Sequence, residues 1–123
     1  MNEQFRVLLV DDNLGMLETM ADILNASGLN VDTANDGPSA IAMFKTRPYD
    51  AAVVDIIMPG MNGIELIKRL KPDFPNTRFI VLTAYSNTPL AMEAEQIAAV
   101  LHKPVDPGHL IRLIRELQPA ATD

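Results

Sequence analysis

The sequence predicts an α/β fold: a doubly wound, five-stranded parallel sheet with helices on both faces. Three observations carry this. Short apolar runs alternate five times with stretches of helical periodicity. The runs at residues 5–10, 51–54 and 79–82 are nearly continuous rather than alternating, which suits strands buried on both faces. Caps, glycines and prolines stand between the periodic stretches, and no long linker, repeat or low-complexity tract interrupts them.

The elements follow in order. The first apolar run stops at Asp11-Asp12-Asn13. Leu14, Leu17, Met20, Ala21 and Leu24 then recur at helical spacing, with Asn13 as N-cap and Gly28 as the stop. Residues 30–34 form a shorter, more polar strand, which places it at an edge. Asp36-Gly37-Pro38 opens a second helix with Ala40, Ile41 and Phe44 on its apolar face. After a break at Arg47-Pro48-Tyr49-Asp50, residues 51–54 make a buried strand that ends on Asp55. Asn62-Gly63-Ile64-Glu65 reads as a capping box for a helix that runs to about Lys71 and stops at Pro72. Residues 79–82 form the fourth strand, ending on Thr83. A fourth helix is expected over residues 90–96. Residues 99–101 are the last strand, and Asp106-Pro107 opens the last helix, with Leu110, Leu113, Ile114 and Leu117 on one stripe. Residues 118–123 lack periodicity.

With 123 residues the chain is one domain's worth. Its apolar fraction of 48% and charged fraction of 21% exclude a disordered or fibrous chain. Sixteen Asp and Glu against 10 Lys and Arg give a net charge of −6, which argues against nucleic-acid or anionic-membrane binding by this domain. No apolar run approaches the roughly 20 residues of a membrane span, and the first residues do not read as a secretory signal. The absence of cysteine removes disulfides, thiolate metal sites and thiol nucleophiles. A cytoplasmic location is the expectation.

Ligands of open parallel sheets bind beyond the carboxyl ends of the strands. Asp11 and Asp12 follow the first strand, Asp55 the third, Thr83 the fourth and Lys103 the fifth. Taken singly, each has a plain structural reading: a strand-end Asp as a turn or cap residue, Thr83 as a strand residue, Lys103 as a solvated surface charge. Taken together they converge on one edge. Three clustered carboxylates repel one another unless a cation joins them, and Mg²⁺ is the natural choice, a hard ion that prefers oxygen ligands. Lys103 and Thr83 add donors for phosphoryl oxygens, and one carboxylate can act as a nucleophile toward phosphorus. The chemistry pointed to is phosphoryl transfer. His102 and His109 have no partner ligands in the sequence and read as surface residues.

These residues resemble a bacterial response-regulator receiver domain of the two-component and chemotaxis kind. The resemblance is carried by Leu8-Leu9-Val10-Asp11-Asp12-Asn13, by Asp55-Ile56-Ile57-Met58-Pro59-Gly60-Met61-Asn62-Gly63, by Val81-Leu82-Thr83-Ala84 and by Lys103-Pro104. It spans residues 5–118. It implies a flavodoxin-like (βα)5 fold with strand order 2-1-3-4-5, a receiver domain over residues 1–118 and a tail or linker stub at 119–123. It further implies that Asp55 is the phosphoacceptor, fed by a histidine kinase or a phosphotransfer protein. Asp11, Asp12, Asp55 and the Ile57 main-chain carbonyl would hold Mg²⁺, and Thr83 and Lys103 would contact the phosphoryl group. Ala84 would leave room for it, and the Lys103-Pro104 bond is expected cis. The resemblance implies a signalling switch rather than an enzyme, beyond catalysing its own phosphorylation and dephosphorylation. It leaves the output partner open and admits a phosphorylation-dependent dimer.

The chain departs from the resemblance at its signalling end. Val100 stands where relatives usually carry an aromatic, and the segment from Thr83 to Lys103 is shorter than in many. The expectation is therefore that Val100 sits in a core shaped for valine, and that the response travels through residues 84–99. Tyr85 reads as a loop residue at the site entrance. Two alternatives stand beside the switch. One is a receiver-like interaction module that no longer uses phosphorylation, which the complete acidic set, Thr83 and Lys103 argue against. The other is an aspartyl-phosphate phosphatase, which Ile57 argues against, because such enzymes commonly carry a second Asp there.

Overall fold

In the computed structural model, residues 5–84 and 97–118 are described. Strands β1 (Arg6–Val10), β2 (Asn30–Ala34), β3 (Ala51–Asp55), β4 (Arg78–Thr83) and β5 (Ala99–His102) form one parallel sheet in the order β2-β1-β3-β4-β5. The described helices are α1 (Leu14–Ala26), α2 (Gly37–Thr46), α3 (Gly63–Leu70) and α4 (Pro107–Leu117). The helix expected over 90–96, Tyr85 and the tail at 119–123 lie outside the described residues.

The caps read from the sequence are the caps observed. Asn13 and Asp36 each accept a hydrogen bond from the third residue after them, opening α1 and α2. Asn62 and Glu65 form the reciprocal capping box of α3, and Asp106 caps α4 ahead of Pro107. Past the end of α1, Gly28 adopts φ +99°, a conformation that costs glycine little.

Period-2 alternation along each strand feeds two cores, one per face of the sheet. Leu8, Val10, Ala52, Val54, Phe79 and Val81 pack against α2 and α3 through Phe44, Leu66, Ile67 and Leu70. Val7, Leu9, Ala51, Val53, Ile80 and Leu82 pack against α1 and α4 through Leu17, Leu24, Leu110 and Ile114. This is why the central strands read as unbroken apolar runs. Two expectations are corrected. Leu14 lies on the helical stripe but is 54% exposed. It is the first residue of α1, at the sheet's edge, and a stripe gives an angle around the helix, not a depth along it. Val100 is 37% exposed rather than enclosed, because β5 is an edge strand with one neighbour.

At the amino ends of the strands, Arg6 and Tyr49 build a polar clamp. The Tyr49 hydroxyl donates to Asp32 Oδ2 at 2.6 Å, and the Arg6 guanidinium pairs with the same oxygen at 3.3 Å. That guanidinium also lies 4.2 Å from the centre of the Tyr49 ring and donates to the Pro48 carbonyl at 2.7 Å. The Thr77 hydroxyl donates to the Tyr49 carbonyl at 2.6 Å, and the Arg6 amide donates to the Asp50 carboxylate at 2.7 Å. The amino ends of β1 through β4 are thereby joined.

Burial pushes the Tyr49 phenol up to about 12, helped by the hydrogen bond and charge of Asp32 and opposed by Arg6. The folded chain thus holds this proton more tightly than the unfolded chain, whose tyrosines titrate near 10. Its stabilisation is complete below about pH 10 and lost as pH rises through about 12. In a Tyr85→Phe variant, which leaves Tyr49 as the sole tyrosine, phenolate absorbance of the folded chain is expected to rise with a midpoint of about 12. A midpoint near 10 with the fold intact would show that the clamp does not shield the phenol.

Candidate functional site

The carboxyl edge of the sheet gathers the acidic residues. β1 delivers Asp11, which is 2% exposed, and β3 ends on Asp55, which is 5% exposed. Asp12 is exposed at the rim. Ligand oxygens of Asp11, Asp12 and Asp55 nevertheless all lie within 4.8 Å of one another. The Lys103 ammonium bridges two of the three, at 3.2 Å from Asp11 Oδ2 and 3.1 Å from Asp55 Oδ2. Its backbone amide donates a hydrogen bond to the Thr83 carbonyl at 2.8 Å, which continues the β4–β5 ladder past the last strand residue. Thr83 ends β4 in a buried position. The Lys103-Pro104 peptide is cis, as the sequence resemblance implied.

Backbone amides fix how the carboxylates are presented. The Asn13 amide donates to Asp11 Oδ1 at 3.0 Å, while the Asn13 side chain caps α1. The Ile57 amide approaches Asp55 Oδ1 at 3.4 Å, and the Ile57 side chain is exposed at the surface. These two amides were not foreseen. The Asp-x-Asn spacing at 11–13 is the signal for the first, since an Asp carboxylate commonly accepts from the amide two residues on. Gly63 supports Asp55 from behind. A Cβ at Gly63 would run into the Asp55 carbonyl oxygen and Val54 Cγ1, so α3 starts in direct backbone contact with the end of β3. Gly60, at φ +78°, turns the loop between them.

Burial pushes the Asp55 carboxyl above the ordinary carboxylate range. The hydrogen bond from Lys103 works against this and the charge of Asp11 adds to it. For Lys103, burial works to lower the pKa, but the hydrogen bond to Asp55 and the charges of Asp11 and Asp55 hold it above the ordinary lysine value. The donor set is three carboxylates with no sulfur or imidazole, which fits a hard divalent cation such as Mg²⁺. His102 and His109 are exposed and outside this cluster.

The sequence matches the profile of the response regulator receiver domain over residues 7–115. The chain belongs to the response regulator receiver domain family. It is 31% identical over 121 residues to sporulation initiation phosphotransferase F of Bacillus subtilis, covering 97% of this chain and 96% of that protein. It is 29% identical to the transcriptional regulatory protein FixJ of Bradyrhizobium diazoefficiens, covering 98% of this chain and 62% of FixJ. In structure it is similar to the response regulator TrrA of Thermotoga maritima, solved in complex with Mg²⁺ and BeF. That similarity has a TM-score of 0.82 at 28% identity, over 92% of this chain and 98% of TrrA. The receiver domain is thus a flavodoxin-like signalling module homologous to phosphorylatable response regulators, with the acidic pocket of the family in place. Among its described residues, no helix is long and apolar enough to cross a membrane.

Two outcomes follow from the packing. Gly63→Ala should destabilise the domain by at least about 1–3 kcal/mol in denaturant unfolding, because the added methyl meets backbone that cannot rotate away. Val100→Tyr should change stability by no more than about 0.5 kcal/mol, because the site opens to solvent. A large loss for Val100→Tyr in the same assay would mean that the ring has no room at this edge.

Proposed function

We propose that this receiver domain is a phosphorylation-dependent switch in which Asp55 accepts a phosphoryl group from the phosphohistidine of a sensor histidine kinase or a phosphotransfer protein. In this reaction an Asp55 carboxylate oxygen attacks phosphorus. The new P–O bond forms as the P–N bond of the donor breaks, and its electron pair returns to the imidazole nitrogen. Asp11, Asp12, Asp55 and the Ile57 main-chain carbonyl would hold Mg²⁺, which when bound supplies neutralising charge to the phosphoryl oxygens. Lys103 places its ammonium against the same oxygens, and Thr83 offers its hydroxyl to another. The observation that carries this reading is the Lys103 ammonium, held 3.1 Å from Asp55 Oδ2 beside a cluster of three carboxylates. The similarity to TrrA, solved with Mg²⁺ and BeF, supports it further.

Phosphorylation exchanges one carboxylate charge for about −1.5 to −2. The change acts on Thr83 and Lys103, which end β4 and follow β5, and so on the partner-binding surface at that side of the sheet. The domain works in the cytoplasm, as a signalling module rather than an enzyme with a separate substrate. Its self-catalysed phosphorylation rests on the residues just named.

Incubation of the chain with Mg²⁺ and a small acyl phosphate such as acetyl phosphate tests this without a kinase. The intact mass is expected to rise by one phosphoryl group. The gain should be absent in Asp55→Ala and without the metal. An undiminished gain in Asp55→Ala would remove the assignment of Asp55.

A further inference from the structure

Six of the chain's ten lysines and arginines meet at one corner of the domain, at the end of the sheet opposite the acidic pocket. Lys45 lies in the last turn of α2 and Arg47 just beyond it. Lys68 and Arg69 lie in the last turn of α3 and Lys71 just beyond it. Arg78 opens β4, next to Ala51 at the start of β3. Because α2 and α3 pack side by side on one face of the sheet, their ends open on the same corner. All six but Lys71 are exposed. Among the described residues, none of the six enters an ion pair. The acids of this corner are Asp50 and Asp73, and the Asp50 carboxylate already accepts from the Arg6 amide. Like charge is crowded here: burial first, and then the charge of Arg78, hold the Lys71 ammonium below the ordinary lysine value. Helix dipoles favour cations at helix carboxyl ends but do not demand this cluster. α1 ends without one, and Arg78 stands in a strand.

We propose that this corner, made by the carboxyl ends of α2 and α3 and the start of β4, docks a short acidic segment of a partner protein. Three of the six cations are arginines, whose planar fork takes a carboxylate through two hydrogen bonds. The limits of the patch favour a short segment over an extended polyanion. The same two helices begin in acid, with Asp36 and Glu65 on the edge that carries Asp11, Asp12 and Asp55. That acid lies only about 15 Å away, the length of the ten residues of α2. Duplex nucleic acid carries a charge every ~1.7 Å and runs on past such a corner. An anionic bilayer across this end of the sheet would also meet Glu116 of α4 and the cation-free end of α1. A short peptide stays within the patch. At physiological salt, where fields decay over about 8 Å, it meets the local cations rather than the net charge of −6. The docking is independent of the phosphoryl reading given above.

Fluorescence anisotropy of a labelled ten-residue oligoglutamate, titrated with the chain at low and rising NaCl, tests this. The series is the parent, Arg47→Gln/Arg69→Gln, Lys68→Gln/Arg78→Gln and, as a control of equal charge loss on the other face, Arg112→Gln/Arg115→Gln. Circular dichroism melts establish that each is folded. The parent is expected to bind saturably, and more weakly as salt rises. Each double variant at the corner should weaken binding about fivefold, the loss of two modest surface pairs, and the control should bind close to the parent. No saturable binding by the parent at low salt overturns the proposal, and so does binding that salt leaves unchanged. Equal weakening in the control overturns it as well, because the field of the whole domain would then be the cause. A 20-base single-stranded DNA or phosphatidylserine vesicles that bind more tightly than oligoglutamate, with the same dependence on Arg47 and Arg69, would overturn the choice of a protein segment as the partner.

Discussion

Like charges held a few ångström apart repel, and this domain holds three carboxylates at one sheet edge, two of them buried. The arrangement around them answers that repulsion. Lys103 lies between Asp11 and Asp55, the Asn13 amide donates to Asp11, and the Ile57 amide leans toward Asp55. Burial nevertheless outweighs the help that Asp55 receives, and its carboxyl stays above the ordinary range. A pocket left in that condition favours any further cation that can reach the oxygens. The stored electrostatic tension is therefore what makes the edge a receptor for positive charge, and it follows from strand order and burial rather than from any one residue.

Bringing the acids level with one another depends on register. Val10 pairs with Val54, Val54 with Val81 and Asp55 with Leu82. A slip of one residue in β3 would turn Asp55 to the other face and expose the apolar set beneath it. The Arg6, Asp32 and Tyr49 clamp acts against such a slip from the far end of the sheet. It joins four strands through the Tyr49 hydroxyl and Arg6 guanidinium on the Asp32 carboxylate, the Arg6 amide on the Asp50 carboxylate, and the Thr77 hydroxyl on the Tyr49 carbonyl. Gly63 limits movement at the near end, because α3 abuts the Asp55 carbonyl with no space for a side chain. The acidic edge is thus held between a polar clamp and a steric stop, some five residues apart along each strand.

Much of this was legible in the sequence, for identifiable reasons. Continuous apolar runs and cap residues report on local backbone and burial, so strands, helix starts and the edge position of β2 could be read directly. Asp11, Asp12, Asp55, Thr83 and Lys103 could be placed on one edge because parallel topology puts every strand end there. The strand order itself came from family resemblance, since period and capping do not encode which strands are neighbours. The clamp was not legible. Arg47-Pro48-Tyr49-Asp50 reads as a turn, and nothing in it announces that Tyr49 reaches Asp32 in a different strand. Depth along an element was hidden as well. Leu14 and Val100 have the composition of core residues, but one begins a helix and the other lies in an edge strand.

That edge placement bears on how the charge at Asp55 is transmitted. A side chain that reports by turning between two sites needs a buried site to turn into, and Val100 faces solvent with a stiff, branched side chain. Among the described residues, one connection runs through backbone. Lys103 is bonded to Thr83 by its amide and to Asp11 and Asp55 by its ammonium, so one residue couples the acidic pocket to the ends of β4 and β5. β5 has four residues and one strand neighbour, which makes it the least restrained strand on this side of the sheet. A change in what the Lys103 ammonium binds therefore pulls on a short strand at the edge of the sheet. On the proposed reading, the phosphoryl signal reaches the surface by this route, with no aromatic needed to carry it.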